Sequence, residues 1–414
     1  MPSSRRRVIT TAGAVLASSA GAGAVAGDAR RTTTTRRSLT AGDESPGWPM
    51  ARYDPAGTAA PADASGPKRG VTEAWVHRAP EWFAGTSAPI LHDGTLYAAG
   101  DGLVALDAAT GSRRFGFPGP YRSTPARTHG DVYTTPTLVS AGPAGVAGVN
   151  GGGGIALPLV DRPLGGERWR GPASPTDGFF GPSDPVDPVA VGDRVFTPLP
   201  GANTVGALDA TSGDVRWRRT HHEDDAVSAE FRRPVVRDGT VFVTNWPYQA
   251  TAYDAATGDR RWQRELDDQL LLPPVAVPAG LVVPSRSSVW LLDPDDGSTL
   301  WKRSLDGNAT ESAPAVDGDT IYCTDERGTL YGLDLATGET RWESTFEGAT
   351  APVVADGVVY AVRSAYELVA VDAATGERRF TYEPPQVPLS APIVGDGVLY
   401  LANRRRIVAL TEER

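Results

Sequence analysis

Four arginines, Arg286, Arg327, Arg363 and Arg404, recur in short polar segments of the second half of the chain, and the aromatics Trp246, Tyr248 and Tyr366 sit in segments of the same kind. A guanidinium presents a planar fork of donors that fits a carboxylate through two parallel bonds, and a nearby ring adds a flat apolar surface. Such a set could form a cationic, aromatic-edged mouth for an anionic glycan, a small acid or a peptide carboxylate. The bland alternative makes each arginine a solvated turn residue paired with a neighbouring acid. Other reactive types are sparse. Cys323, the only cysteine, lies in the strand-like run Thr320–Thr324 and reads as a buried apolar side chain. One cysteine excludes an internal disulfide framework and a cysteine-rich zinc site. Adjacent histidines point apart on an extended chain, so His221-His222-Glu223-Asp224-Asp225 reads as a solvated acidic loop and not a metal site. Asn150 followed by Gly151-Gly152-Gly153-Gly154 lacks the lysine and hydroxyl of a phosphate cradle and reads as a flexible turn, and Gly178-Phe179-Phe180-Gly181 lies in the same irregular stretch. No Gly-x-Ser-x-Gly or His-Glu-x-x-His motif occurs. No catalytic residue and no metal ligand is assigned.

The elements that would position the arginines come from an internal period. Asp, three residues, Gly, three residues and Trp or Phe recur at Asp107/Gly111/Phe115, Asp161/Gly165/Trp169, Asp209/Gly213/Trp217, Asp254/Gly258/Trp262, Asp293/Gly297/Trp301, Asp334/Gly338/Trp342 and Asp372/Gly376/Phe380. Each follows an apolar or alternating run and precedes another short strand, so it is a hairpin turn, with Asp bonding the backbone ahead and Gly accepting a positive φ. Upstream lies a second turn of Asp-Gly type, as at Asp93-Gly94, Asp238-Gly239, Asp317-Gly318, Asp356-Gly357 and Asp396-Gly397, and before that a strand opening with proline. Four strands per repeat of about 40 residues is the signature of a propeller blade.

The opening prolines Pro89, Pro125, Pro188, Pro234, Pro274, Pro314, Pro352 and Pro392 count eight blades. The last ends in Val408-Ala409-Leu410-Thr411 with no room for an outer strand before Arg414. Thr72-Glu73-Ala74-Trp75-Val76-His77 supplies one, with Trp75 in the docking position, and closing the ring this way removes an open blade edge. The fold expected is all-β: an eight-bladed propeller of four-stranded antiparallel blades, closed by an N-terminal strand.

The formal net charge of -10 argues against a surface that neutralises nucleic acid. Only Lys68 and Lys302 are lysines among 40 basic residues, a bias that resembles the proteins of extreme halophiles. Ser4-Arg5-Arg6-Arg7 ahead of the alanine-rich run from Ala12 to Ala26 reads as a twin-arginine-type export signal, too short and weak for a membrane span. The expected divisions are a signal over residues 1–26, a Thr/Arg/Ser-rich disordered tether over 27–46 and the propeller over 47–414, the product being an exported monomer with no membrane span after cleavage.

The consensus AP-V-DG-Y-LYALDAATG-RW, over roughly residues 71–411, resembles the PQQ-like (tryptophan-docking) β-propeller family, which includes quinoprotein dehydrogenases and the outer-membrane-assembly propeller lipoproteins. Trp48-Pro49-Met50 through Asp54 looks like the lead-in ahead of such propellers. The resemblance implies that Trp75, Phe115, Trp169, Trp217, Trp262, Trp301, Trp342 and Phe380 dock adjacent blades. It also implies an alternative activity, PQQ-dependent oxidation of an alcohol or sugar, with a metal held by Glu, Asn and Asp and, in many members, a cysteine pair. The lone Cys323 cannot supply that pair, and no position matches the metal ligands or base, so no cofactor is expected. In a four-stranded meander the first and third turns share one face, the turn face, while the second turns and blade-to-blade links share the other, the loop face. The turn face is uniform and reads as scaffold; the loop face carries the arginines. The expected function is a non-catalytic extracytoplasmic binding or scaffolding propeller that presents its loop face to a protein, peptide or glycan.

Overall fold

The computed structural model describes residues 34–35, 47–78, 87–100, 102–129, 132–155, 164–172, 185–199, 203–221, 231–246, 248–268, 271–307, 312–325, 327–346, 351–363, 366–384, 389–403 and 405–413. The export signal (1–26), the tether (27–46) apart from Thr34 and Thr35, Arg404, Asp161, the acidic run from His222 to Asp225 and the stretch from Gly178 to Gly181 lie outside them. Among the described residues there is no helix, and none is long and apolar enough to cross a membrane.

Eight four-stranded antiparallel blades form a propeller ring. The first is Ile90–His92, Thr95–Ala99, Gly102–Asp107 and Arg113–Pro118. The second, Ala126–Thr128 to Glu167–Arg170, through the seventh, Val353–Ala355 to Arg378–Tyr382, repeat the order. The eighth takes Ile393–Gly395, Val398–Ala402 and Arg406–Glu412 from the C-terminus and Val71–Arg78 from the N-terminal side, as the repeat count requires. Thr34–Thr35 pairs outside that closing strand, opposite Trp75 and Val76. Inner strands of neighbouring blades touch around the axis. The middle strands are almost wholly buried because both faces of a blade are covered by its neighbours, whereas outer strands alternate, as in the exposed and buried sequence of Val215–Thr220.

Two local devices repeat in the outer strands. In every blade the pairing of third and outer strands skips one residue immediately before the docking aromatic: Arg114, Arg168, Arg216, Arg261, Leu300, Arg341, Arg379 and Ala74. This bulge bends the strand and re-aims the next side chain. The aromatic then lies on the following blade. The indole Nε1 of Trp75, Trp169, Trp217, Trp262, Trp301 and Trp342 donates to the carbonyl of Ala108, Ala210, Ala255, Pro294, Leu335 and Ala373, at 2.9 to 3.1 Å. Each acceptor is the residue after the repeat's Asp, so one turn both ends its own hairpin and receives its neighbour.

The lead-in segment lies on the axis. The innermost strand of each blade is an edge, and the N–H of its middle residue has no partner within the sheet. Trp48 O and Pro49 O accept from Leu91 and Arg127 of the first two blades. Pro55 O, Ala56 O, Thr58 O and Ala59 O accept from Val236, Ala276, Val316 and Val354 of the fourth to seventh. The chain then leaves on the turn face, where Ser65 O accepts from Gly397 N and Lys68 pairs with Asp356 at 2.6 Å, and runs into the closing strand.

Candidate functional site

Arginine at the bulge is a structural residue that sequence reasoning left unassigned. Arg341 binds Asp334 of its own turn at 2.6 Å and Asp319 of its own first turn at 2.7 Å, and Arg261 binds Asp254 at 2.8 Å. Arg114, Arg216 and Arg379 make the matching bond to Asp107, Asp209 and Asp372. The Asp carboxylate also takes the backbone N–H groups of the turn, as in the bonds from Ala256 and Thr257 to Asp254. The repeating signal was present, as the Arg of the consensus preceding Trp. On the turn face these pairs thus brace the turns of their own blades.

The second blade, within the stretch that already reads as irregular, departs from this uniformity at the Gly165 turn. Gly165 has open space beside it, and the docking ring Phe115 lies instead against Gly153 in the glycine run, where an added Cβ would come 2.8 Å from the ring. The glycines do form a turn, bonded through Gly151 N to Pro136 O and Gly153 N to Asn150 O. Ile155 and Leu164 pair beyond it and are largely exposed, as is Val132 on the adjacent first turn. On the loop face of this blade a cleft of about 380 Å³, counted with its open mouth, is lined by Tyr121, Ser140, Glu167 and Arg170.

On the loop face the second turns are built alike, with polar groups holding the backbone while one or two side chains stand outward. Asp268 accepts from Ser285 Oγ, Ser287 N and Ser287 Oγ, and thereby fixes the turn that carries exposed Arg286. Asp325, fully buried, accepts from Arg327 N, Thr329 N, Gly307 N and Tyr331 Oη, and presents exposed Arg327. Trp246 is 41% and Tyr248 36% exposed beside buried Asn245, and Tyr366 is 59% exposed. Arg363 forms an ion pair with Glu367 of its own hairpin, as the bland reading had it, whereas Arg286 and Arg327 have no ion-pair partner among the described residues. The structure places these turns at one end of the ring on the fourth to seventh blades.

Around the axis, towards the loop face, sit groups the sequence did not reveal. Arg52 Nη1 and Nη2 donate to Pro352 O and Pro314 O at 2.9 and 2.6 Å, and Arg233 Nη2 donates to Asp54 O at 2.9 Å. Enclosure by protein, and then the nearby Arg233, pull the Arg52 guanidinium down to about 9. Arg233 falls to about 10, through burial opposed by Asp187 and Asp54. Asp187, which accepts from Thr124 N, is raised by burial. Arg52 and Tyr53 have φ of 60° and 74°, a strained conformation for residues with a Cβ. Position gave no signal here: Asp187 and Arg233 merely precede opening prolines.

The remaining candidates are structural. Cys323 is buried, and burial lifts its thiol to about 12. His221 bonds Tyr253 Oη at 2.5 Å and packs edge-on to Phe231. Among the described residues no three His, Cys, Asp or Glu side chains converge on a metal position, and the inner-rim donors of six blades are already used by the chain's own carbonyls.

A family model described as outer membrane protein assembly factor BamB matches residues 152–283 and 285–413, well over half of the chain. An outer membrane protein assembly factor BamB from Yersinia pestis is 30% identical over 235 residues, covering 50% of this chain and 59% of that protein. A serine/threonine-protein kinase AfsK from Streptomyces griseus is 32% identical over 165 residues, covering 37% of this chain and 20% of the kinase. The chain thus spans less than two thirds of either relative. The crystal structure of a quinohemoprotein alcohol dehydrogenase from Comamonas testosteroni superposes with a TM-score of 0.66 over 89% of this chain and 81% of that one, at 13% identity, a likeness of fold alone.

Proposed function

The chain belongs to the propeller family described by outer membrane protein assembly factor BamB, and from that premise we propose that it is a non-catalytic, extracytoplasmic scaffold that binds a partner protein on its loop face. One observation carries the reading. On the turn face the bulge arginines are paired with the Asp of the repeat, whereas on the loop face Arg286, Arg327, Trp246, Tyr248 and Tyr366 project from turns whose backbones are fixed by Asp268, Asp325 and Asn245. Rigid turns with outward arginine and aromatic side chains lower the ordering cost of association and supply the residue types that dominate interfaces. The partner chemistry favoured is a protein segment bearing carboxylates, which Arg286 and Arg327 would meet; an anionic glycan is the other source of the same groups. The export-signal pattern of residues 4–26 and the outer-membrane relative support the extracytoplasmic placement.

The test is binding of the intact protein and of the triple variant Trp246→Ala/Arg286→Ala/Arg327→Ala to arrays of acidic peptides and anionic glycans, together with capture from the native cell surface. At least a tenfold loss of retention by the variant is expected. Equal retention would remove the loop face from the function. Titration with PQQ and Ca²⁺ should give no bound-cofactor spectrum and no dye-linked alcohol oxidation; stoichiometric uptake with turnover would replace the scaffold reading by an enzyme.

A further inference from the structure

An edge strand with free N–H groups is a binding site for extended backbone. This ring contains eight such edges facing one axis, and residues 48–59 visit six of them in spatial order, with one carbonyl accepting from the inner-strand amide of each. Side chains reinforce the arrangement. Arg52 reaches the carbonyls of the sixth and seventh blades, Arg233 reaches back from the fourth to Asp54 O, and Asp54 holds Thr58 through N and Oγ1 at 3.0 and 2.6 Å. The segment is built for a narrow space. An added Cβ on Gly57 would approach Val235 Cγ1 to 3.1 Å and Arg233 Nη1 to 3.2 Å, and left-handed Arg52, Tyr53 and Ala59 curve the chain around the axis. No described residue bonds the equivalent amides of Ala190 and Val394, so the third and eighth blades are passed over.

We infer that the inner rim of the ring is a peptide-backbone binding site whose resident ligand is the chain's own residues 48–59, which close the axis in cis to any other axial ligand. The curvature, the bonds of Arg52 and Arg233 and the ordered series of carbonyls together describe a ligand bound along a path, tied covalently to the receptor through residues 60–70.

Two measurements on the full chain test this. Native-state hydrogen exchange should show the amides of Leu91, Arg127, Val236, Ala276, Val316 and Val354 exchanging at least tenfold more slowly than those of Ala190 and Val394. Equal rates at all eight would overturn the inference. In the second, a specific protease site is inserted at exposed Ala62-Asp63 and the folded protein is cut. The N-terminal fragment should stay bound through gel filtration, and Arg52→Ala should speed its release at least tenfold. Prompt release of the wild-type fragment from a ring of unchanged Tm would sink the proposal. If release unfolds the ring, a synthetic peptide of residues 47–60 must restore it, and failure to do so counts against the site.

Discussion

Gly258 adopts φ 72°, and a Cβ placed on it would lie 2.5 Å from Cδ2 of the Trp217 indole docked from the preceding blade. Gly239 has the same φ of 72° with nothing within 4 Å. The pair separates two reasons for glycine. Gly239→Ala should cost only the left-handed term, about 1–2 kcal/mol. Gly258→Ala should add the displacement of a packed indole, a further 1–3 kcal/mol or so. Denaturant midpoints at constant m value measure both, and equal losses would show that the indole contact contributes nothing. The turn chemistry at both glycines was legible in the sequence, because a positive φ leaves its mark on composition. The flat contact at Gly258 was not, since the residue that enforces it comes from another repeat. The bulge arginines fall between these cases. Their spacing was visible, but a purpose for Arg261 or Arg341 appears only once the bulge turns the guanidinium towards Asp254 or Asp334.

The closing strand Val71–Arg78 was legible as an element because it carries the aromatic of a repeat whose other strands lie over 300 residues away, and its register with Arg406–Glu412 includes the same bulge as every other blade. Trp75 is fully buried and its Nε1 donates to Ala108 O at 3.0 Å, joining the eighth blade to the first. Trp301, its counterpart between the fifth and sixth blades, makes the same bond at 2.9 Å but is only partly buried. Trp75→Ala should therefore destabilise by about 3–5 kcal/mol, and Trp301→Ala by less. Thermal unfolding of both variants checks the order; an equal or reversed order would mean that ring closure is no more demanding than any other seam. Trp48 through Asp54 was recognisable as a lead-in, yet its place on the axis, and the continuation of the axial segment to Ala59, was not. Its bonds to the blades are made by backbone carbonyls, which every residue possesses and which leave no periodic trace. Blade two misled for a related reason: the spacing of Gly165 and Trp169 fits the repeat, but the platform under Phe115 is supplied by Gly153.

Across the whole ring the bonding of acids to arginines gives stability a definite pH dependence. Bonds from Arg261, Arg341 and Arg379, followed by or combined with backbone donors of the turn, hold Asp254, Asp334 and Asp372 below the usual carboxylate range, with Asp254 brought from 3.8 to about 2. Arg341 likewise brings Asp319 to about 2. A carboxylate whose pKa is lower in the folded state gives the unfolded chain the greater proton uptake between the two values, so stability rises with pH there. The contribution is complete above about pH 4 and is lost as pH falls from about 4 to 2. These pairs are solvent-exposed, so each contributes modestly and is weakened by salt. Their number makes the effect measurable, because equivalent turns recur around the ring. Urea midpoints should fall progressively between pH 4 and pH 2, more steeply at low ionic strength. The double variant Asp254→Asn/Asp334→Asn should flatten that slope while leaving the m value unchanged. A slope that persists undiminished in the variant would place the acid-sensitive groups elsewhere, and the axial carboxyl of Asp187 cannot supply it. Burial raises that group, so it binds its proton more readily in the folded ring and acts in the opposite direction.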